Sequence, residues 1–288
     1  MRNALPVLTV LCGIVAIWYV AAVWMNATFA YDQAGREGQE IDFYELLSMT
    51  MAQERPVMPA PHQVAAEVWK GVAGQKVTSK RSLVYHGLVT LESTAYGFIL
   101  GLLLGVGLAV GIVYFRVMEM AVMPWAIISQ TIPIVALAPM IIVLSNAVGI
   151  EAREVPKAVI SAYLSYFPVL VGMVTGLRSP DAMQVDLMRT WNASGRQEFW
   201  RLRLPSSLPF LFASLKVAVA AALVGAIVGE LPTGAIEGLG ARMLIGSQFG
   251  EPLIMWAALF AAALLAGGLI LVVGTVERWL RRRMGMAG

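Results

Sequence analysis

The chain has 288 residues, of which 58% are hydrophobic and only 14% charged, against about 25% charged in an ordinary soluble domain. Its mean hydropathy is +0.72. A soluble core of this size could not hide that much apolar surface, so a soluble enzyme and a disordered chain are both excluded. The net charge of +3 on a membrane chain reflects topology rather than a nucleic-acid footprint. The lone cysteine, Cys12, cannot form an internal disulfide, and His62 and His86 lie far apart. No metal site or cofactor is expected from them.

A membrane helix needs roughly 20 mostly apolar residues. Six stretches come close: 5–29, 89–115, 121–148, 155–177, 208–231 and 253–276. The expected fold is therefore an all-α polytopic membrane protein with about six transmembrane helices. The first stretch is longer than the roughly 7–15 residue core of a signal peptide, so residues 1–30 read as a retained helix. Residues 31–83 form a polar loop that starts acidic, with Asp32, Glu37, Glu40, Asp42 and Glu45, and is broken by Pro56, Pro59 and Pro61. Within it Val64, Ala65, Val68, Trp69 and Val72 recur at helical spacing. That pattern is an amphipathic helix lying on the bilayer or packed on the protein's own body.

Six spans put both termini on one side. That side holds eleven arginines, Arg2, Arg116, those of the loop near 178–203 and the Arg278–Arg283 cluster, against nine lysines and arginines on the other side, most of them spread over the long first loop. Lysine and arginine favour the cytoplasmic side, which places both termini there.

Residues 178–205, inside the 84–283 core, stand apart from the apolar runs. Ser179-Pro180-Asp181 reads as a helix start, and residues 181–191 have helical character. Asn192 tolerates left-handed backbone geometry. A second short helix follows over about 194–202, closed by Pro205 before the next span. The expectation is two short helices joined by a sharp turn.

This segment resembles the coupling-loop motif of ATP-binding-cassette (ABC) importer permeases, in which Glu-Ala-Ala, a glycine and a Leu-Pro pair recur. Asp186, Leu187 and Met188 stand where Glu-Ala-Ala would be, and Asn192 replaces the glycine. Arg189, Thr190, Ala193, Ser194, Gln197, Leu204 and Pro205 match. The run Met58-Pro-Ala-Pro-His-Gln-Val64, the run Thr131-Ile-Pro-Ile-Val-Ala-Leu-Ala-Pro139, and the triplets Gly229-Glu230-Leu231 and Gly238-Leu239-Gly240 resemble further motifs of the permeases for nitrate, sulfonates, taurine and pyrimidine-type precursors.

The resemblance implies a type I permease core in a bacterial cytoplasmic (inner) membrane. It also implies a separate cytoplasmic ATPase dimer, an extracytoplasmic substrate-binding protein and a second permease copy, with a homodimer expected. It implies no catalytic site, and the chain lacks a G-x-x-x-x-G-K-[ST] phosphate loop. Within the family the likeness leans toward members associated with pyrimidine or riboflavin-type vitamin precursors, with sulfonate, taurine and nitrate as alternatives. An ion-coupled secondary transporter would call for inverted repeats and paired intramembrane carboxylates, and neither is evident. An intramembrane enzyme would call for a nucleophile or metal set at membrane depth.

Polar groups at membrane depth are functional candidates by default. Glu92, Gln130, Asn146, Lys216 and Glu230 qualify. Gln130 and Thr131 sit beside Pro133, which frees a backbone carbonyl, and broken helices of this kind line cavities. These three are pathway candidates, with Tyr163 and Tyr166, whose rings either contact a flat solute or pack between helices. Glu230 completes the set, with a structural or gating role favoured over substrate binding. Gly97, Gly101 and Gly105 repeat every four residues, as do Gly225 and Gly229. Small residues at that spacing let helices approach closely, within one subunit or across a dimer seam.

Overall fold

The computed structural model describes residues 4–38, 41–150, 152–232 and 236–285. Arg2 and Glu40, used above, lie outside them. Twelve helices follow in order among the described residues: α1 (Ala4–Glu37), α2 (Phe43–Ala52), α3 (Pro61–Val72), α4 (Leu83–Tyr114), α5 (Arg116–Ser129), α6 (Ile134–Ala147), α7 (Glu154–Leu177), α8 (Ala182–Thr190), α9 (Gly195–Glu198), α10 (Leu204–Glu230), α11 (Leu239–Gln248) and α12 (Pro252–Arg283). The helical stretches 5–36, 83–114, 154–177, 195–230 and 252–283 are each long and apolar enough to cross a membrane, while α5 and α6 form a pair bent by 105°.

Three local expectations change. The third apolar stretch is not one straight helix: it breaks at Pro133, whose missing N–H and fixed φ interrupt the ladder. Helix α2, in the acidic stretch, and α11, beyond Gly238-Leu239, have no counterpart among the expected elements. Pro205 does not close the short helix before it. Residues 199–203 form a π-helical turn in which the Leu204 N–H bonds to the Phe199 carbonyl, and the helical run continues from 195 to 230. One extra residue in the turn accommodates the proline ring and its missing donor without a break.

The chain divides into two compact units, residues 1–86 with 242–262 and residues 87–241 with 263–288. In the second, α7 packs between α4 and α10 through small residues. A Cβ on Gly97 or Gly101 would fall 2.2 or 2.1 Å from Ser161 or Ser165, and one on Gly105 would fall 2.6 Å from the Tyr166 carbonyl. From the other side, Gly225 lies against the Ser161 backbone and Gly229 against that of Lys157. The Ser161 hydroxyl donates to the Ala222 carbonyl at 2.7 Å. Backbone approach this close is the main way helices gain packing where lipid removes the hydrophobic drive. Ala109, Ile112, Leu170, Met173 and Leu177 form the apolar core nearer the α7 C-terminus. Lys216, a candidate buried charge, pairs with Glu277 at 2.6 Å.

In the first unit α1 presents a stripe of buried small residues, Ala22, Asn26, Ala30 and Ala34, one per turn. Asn26 is fully buried. Its amide donates to the Met58 carbonyl at 2.9 Å, and its Oδ1 accepts from the N–H groups of Val57 and Met58. The proline-rich loop cannot pair its own backbone, so this side chain does so for it. Trp18 donates to the Pro59 carbonyl and stacks against Trp256 and Phe260. Pro61 opens α3 at its first turn, the position a helix tolerates best.

Candidate translocation and coupling sites

The break between α5 and α6 gathers five of the six pathway candidates. Pro133 lacks the N–H that would bond the carbonyl four residues back, that of Ser129. The Tyr163 hydroxyl donates to that carbonyl instead. The Ser129 hydroxyl donates to the Ala126 carbonyl at 2.8 Å, so its lone pairs accept from the Tyr166 hydroxyl and the Gln130 amide. Thr131 donates to the Ile128 carbonyl. The freed carbonyl also accepts a long bond from the Ile132 N–H at 3.4 Å, so α7 supplies its stronger donor, and two tyrosines fix where the chain turns.

The tyrosines have a second aspect. With their hydroxyls held on Ser129, their rings border a cavity of about 620 Å³ also lined by Trp125, Leu104 and Leu108. The walls are almost wholly apolar, and the Tyr163 and Tyr166 ring centroids are 6.3 Å apart. Gln130, Thr131 and Pro133 form the break itself and are not among the lining residues.

Glu230 lies apart from this group, at the C-terminal end of α10. It is fully buried. One carboxylate oxygen accepts from the Thr90 hydroxyl at 2.8 Å and the other from the Gly240 N–H at 2.7 Å. Thr90 Oγ1 in turn accepts from the Leu239 N–H. Glu230 and Thr90 therefore cap the first turn of α11, where free N–H groups favour an anion. Gly238 makes room: its φ is +119°, and a Cβ there would fall 2.3 Å from the Glu230 carboxyl carbon. Close by on α7, Lys157 is buried and pairs with Glu154 at 3.0 Å, which also accepts from Ser93.

The 178–205 segment is built to be rigid and exposed. Asp181 starts α8, its N–H bonded to the Gln184 side chain. Asn192 ends it at φ 53°, the one non-glycine residue with positive φ among those described. The Asn192 N–H reaches the Arg189 carbonyl and the Ala193 N–H the Met188 carbonyl, the paired bonds of a Schellman cap. Two residues on, Ser194 and Gln197 exchange side-chain and backbone bonds in a capping box. Asp186 pairs with Arg189 across one turn at 3.3 Å, and the Thr190 hydroxyl bonds back to the Leu187 carbonyl. Met188 and Ala193 are half-buried. Met183, Leu187 and Trp191 are exposed, at 80, 50 and 73%, and four-residue spacing puts them on one face. Arg203 ties the second short helix to the bundle, bonding Glu198 at 2.6 Å and the Leu177 carbonyl at 3.0 Å.

Sequence reasoning missed Ser129, Trp125, Thr90 and Lys157. Ser129 had a signal, since it lies four residues before Pro133. Thr90 meets Glu230 across 140 positions, Trp125 meets the tyrosines only through packing around the cavity, and the Lys157–Glu154 pair, though local, is buried only by the folding of the bundle.

A bundle whose helices cross a membrane, carrying an exposed capped helix pair between two spans, is the architecture of an ABC importer permease. The sequence profile of the family described as "binding-protein-dependent transport system inner membrane component" matches residues 97–286, and the chain belongs to that family. ATP hydrolysis in such systems lies in a separate subunit of the assembly. Among similar proteins is the formylaminopyrimidine transport permease protein ThiX of Halalkalibacterium halodurans. It is 34% identical over 223 residues, covering 76% of this chain and 82% of that one. The riboflavin transport system permease protein RibX of Chloroflexus aurantiacus is 30% identical, covering 78% and 80%. A solved structure of the MetNI methionine ABC transporter, facing inward, superposes with a TM-score of 0.52 at 20% identity. The match covers 75% of this chain and 95% of that one, a likeness of fold.

Proposed function

We propose that this chain passes a pyrimidine or riboflavin-type vitamin precursor, delivered by a binding protein, through a homodimeric pathway. Loop 178–205 and both termini face the cytoplasm. The observation that carries the substrate class is the 34% likeness to a formylaminopyrimidine permease. The apolar cavity walled by Trp125, Tyr163 and Tyr166 suits a flat ring, which stacks on aromatic faces.

Coupling is mechanical in this reading. The exposed face of Met183, Leu187 and Trp191 seats in a groove of the ATPase. The caps at Asn192 and Ser194 keep α8 and α9 from yielding when the ATPase closes. The helical run from 195 to 230 spans 36 residues, about 54 Å at 1.5 Å per residue. Displacement at its lower end therefore reaches the level of Glu230 without an intervening joint.

The test is uptake of labelled hydroxymethylpyrimidine, riboflavin, taurine and nitrate in cells lacking the chain, with and without complementation. Loss of uptake of one heterocycle, restored by the native chain, is the expected result. Loss restricted to taurine or nitrate overturns the substrate class and leaves the importer intact.

A further inference from the structure

We infer that α3 and the basic segment after it, residues 61–82, form an in-plane anchor that binds anionic phospholipid headgroups. One face of the helix is fixed from inside. Near its start Val64 is buried. At the other end Gly71 meets Leu83 so closely that a Cβ would fall 2.7 Å from its side chain, and the Ser82 hydroxyl donates to the Gly71 carbonyl. With that face committed, the opposite face carries Ala65, Trp69 and Val72 outward. Trp69 is 73% exposed, and Val77 in the following loop is 51% exposed.

Chain continuity says what covers this face. Leu83, which Gly71 touches, opens α4, whose 32 residues measure about 48 Å against about 40–45 Å of bilayer with its headgroups, so the C-terminal half of α3 packs at the end of α4 that reaches headgroup level. A tryptophan held there, apolar side outward, sits where aromatic side chains collect at membrane interfaces.

Charge then chooses among lipids. Residues 61–82 hold Lys70, Lys76, Lys80 and Arg81 against a single acid, Glu67, which lies 3.6 Å from Lys70. Lys76 and Arg81 are exposed. Cations flanking an apolar stripe are the pattern of a surface-seated helix on anionic lipid. The preceding stretch, 31–54, is acidic and lacks this character, so the two halves of the 31–83 loop face different surroundings.

The test uses the full chain in lipid nanodiscs, with Cys12→Ala and Trp69→Cys labelled by bimane. The label should be quenched by a nitroxide on the lipid headgroup and shielded from aqueous iodide. Replacing phosphatidylglycerol by phosphatidylcholine should lower headgroup quenching several-fold, about fivefold for each cation that engages the surface. Lys70→Gln with Lys76→Gln should do the same in phosphatidylglycerol discs. The lipid exchange needs no further substitution, so a misfolded double variant leaves the comparison readable. Iodide quenching equal in nanodiscs and detergent, with no nitroxide effect, would overturn the inference and mark a water-facing surface for a protein partner. Nitroxide quenching indifferent to both lipid and lysines would overturn the headgroup part.

Discussion

Two prolines at helix junctions of this chain, Pro133 and Pro205, have opposite effects. At Pro133 the chain bends by 105° between α5 and α6. At Pro205 it runs on without a break, through a π-helical turn, into α10. Each removes a donor and sets a ring against the carbonyl four residues back. The difference lies in what surrounds that carbonyl. A side chain from another helix, Tyr163, bonds the carbonyl freed by Pro133, beside a long bond from the Ile132 N–H. Before Pro205 an extra residue widens the turn, and Arg203 on that turn is held by Glu198 and Leu177. One region bends, and the other carries its helix on.

The largest effect should come from removing the extra residue. Deleting Trp200 returns the turn to α-helical spacing and drives the Pro205 ring into the ladder, which costs about 3 kcal/mol. The detergent-purified protein should melt well below the native chain, and uptake should be lost. Adding Pro205→Ala to the deletion should restore most of the melting temperature while uptake stays impaired, because α8 and α9 are then rotated about the axis. If the deletion alone leaves melting unchanged, the π turn is not what accommodates the proline.

Next in size is the partner of the bend. Tyr163→Phe leaves the Ser129 carbonyl with only the long Ile132 N–H bond, a loss of about 1 kcal/mol or somewhat more. Uptake should fall more than tenfold if the break must hold its shape. Tyr166→Phe should do less, because the Ser129 hydroxyl keeps its bond to Ala126 and the Gln130 amide. Equal effects from the two would shift the explanation from the freed carbonyl to the cavity wall.

How much of this was legible beforehand follows from where each partner lies. The Asn192 turn is local, and the residue type announces it. The apolar runs mark the spans because their length is set by the bilayer. Pro133 marks a break, and subtracting four gives Ser129. Tyr163 as the rescuing donor depends on packing between α5 and α7, which no local pattern encodes. The Glu230–Thr90 bond joins residues 140 positions apart, and neither residue type declares the other. The π turn is hidden for a different reason: a Leu-Pro pair after a short helix also fits a helix stop, and only the tertiary hold on Arg203 decides.

Asn192 shows a third way to turn, by backbone geometry alone. Asn192→Val should cost about 1–2 kcal/mol at a positive-φ position and lower transport-coupled ATPase activity in the assembled complex. Asn192→Gly should retain it, since glycine adopts that geometry freely. If both variants couple normally, the Schellman cap is not what holds α8 against α9.

The smallest effect is expected at Pro133 itself. Pro133→Ala restores an N–H, but the bend is also held by Tyr163 and by the Thr131 bond to Ile128. Uptake should stay within about twofold of native, the range of substitutions that disturb no buried group. The informative variant is the double one. In Tyr163→Phe with Pro133→Ala, the new N–H lies in the position that normally serves the Ser129 carbonyl and replaces the lost hydroxyl. Melting temperature should therefore recover in part relative to Tyr163→Phe alone. Recovery would mean that the donor, not the ring, matters at this bend. If Pro133→Ala by itself abolishes uptake, the fixed φ of proline makes the bend and Tyr163 only decorates it.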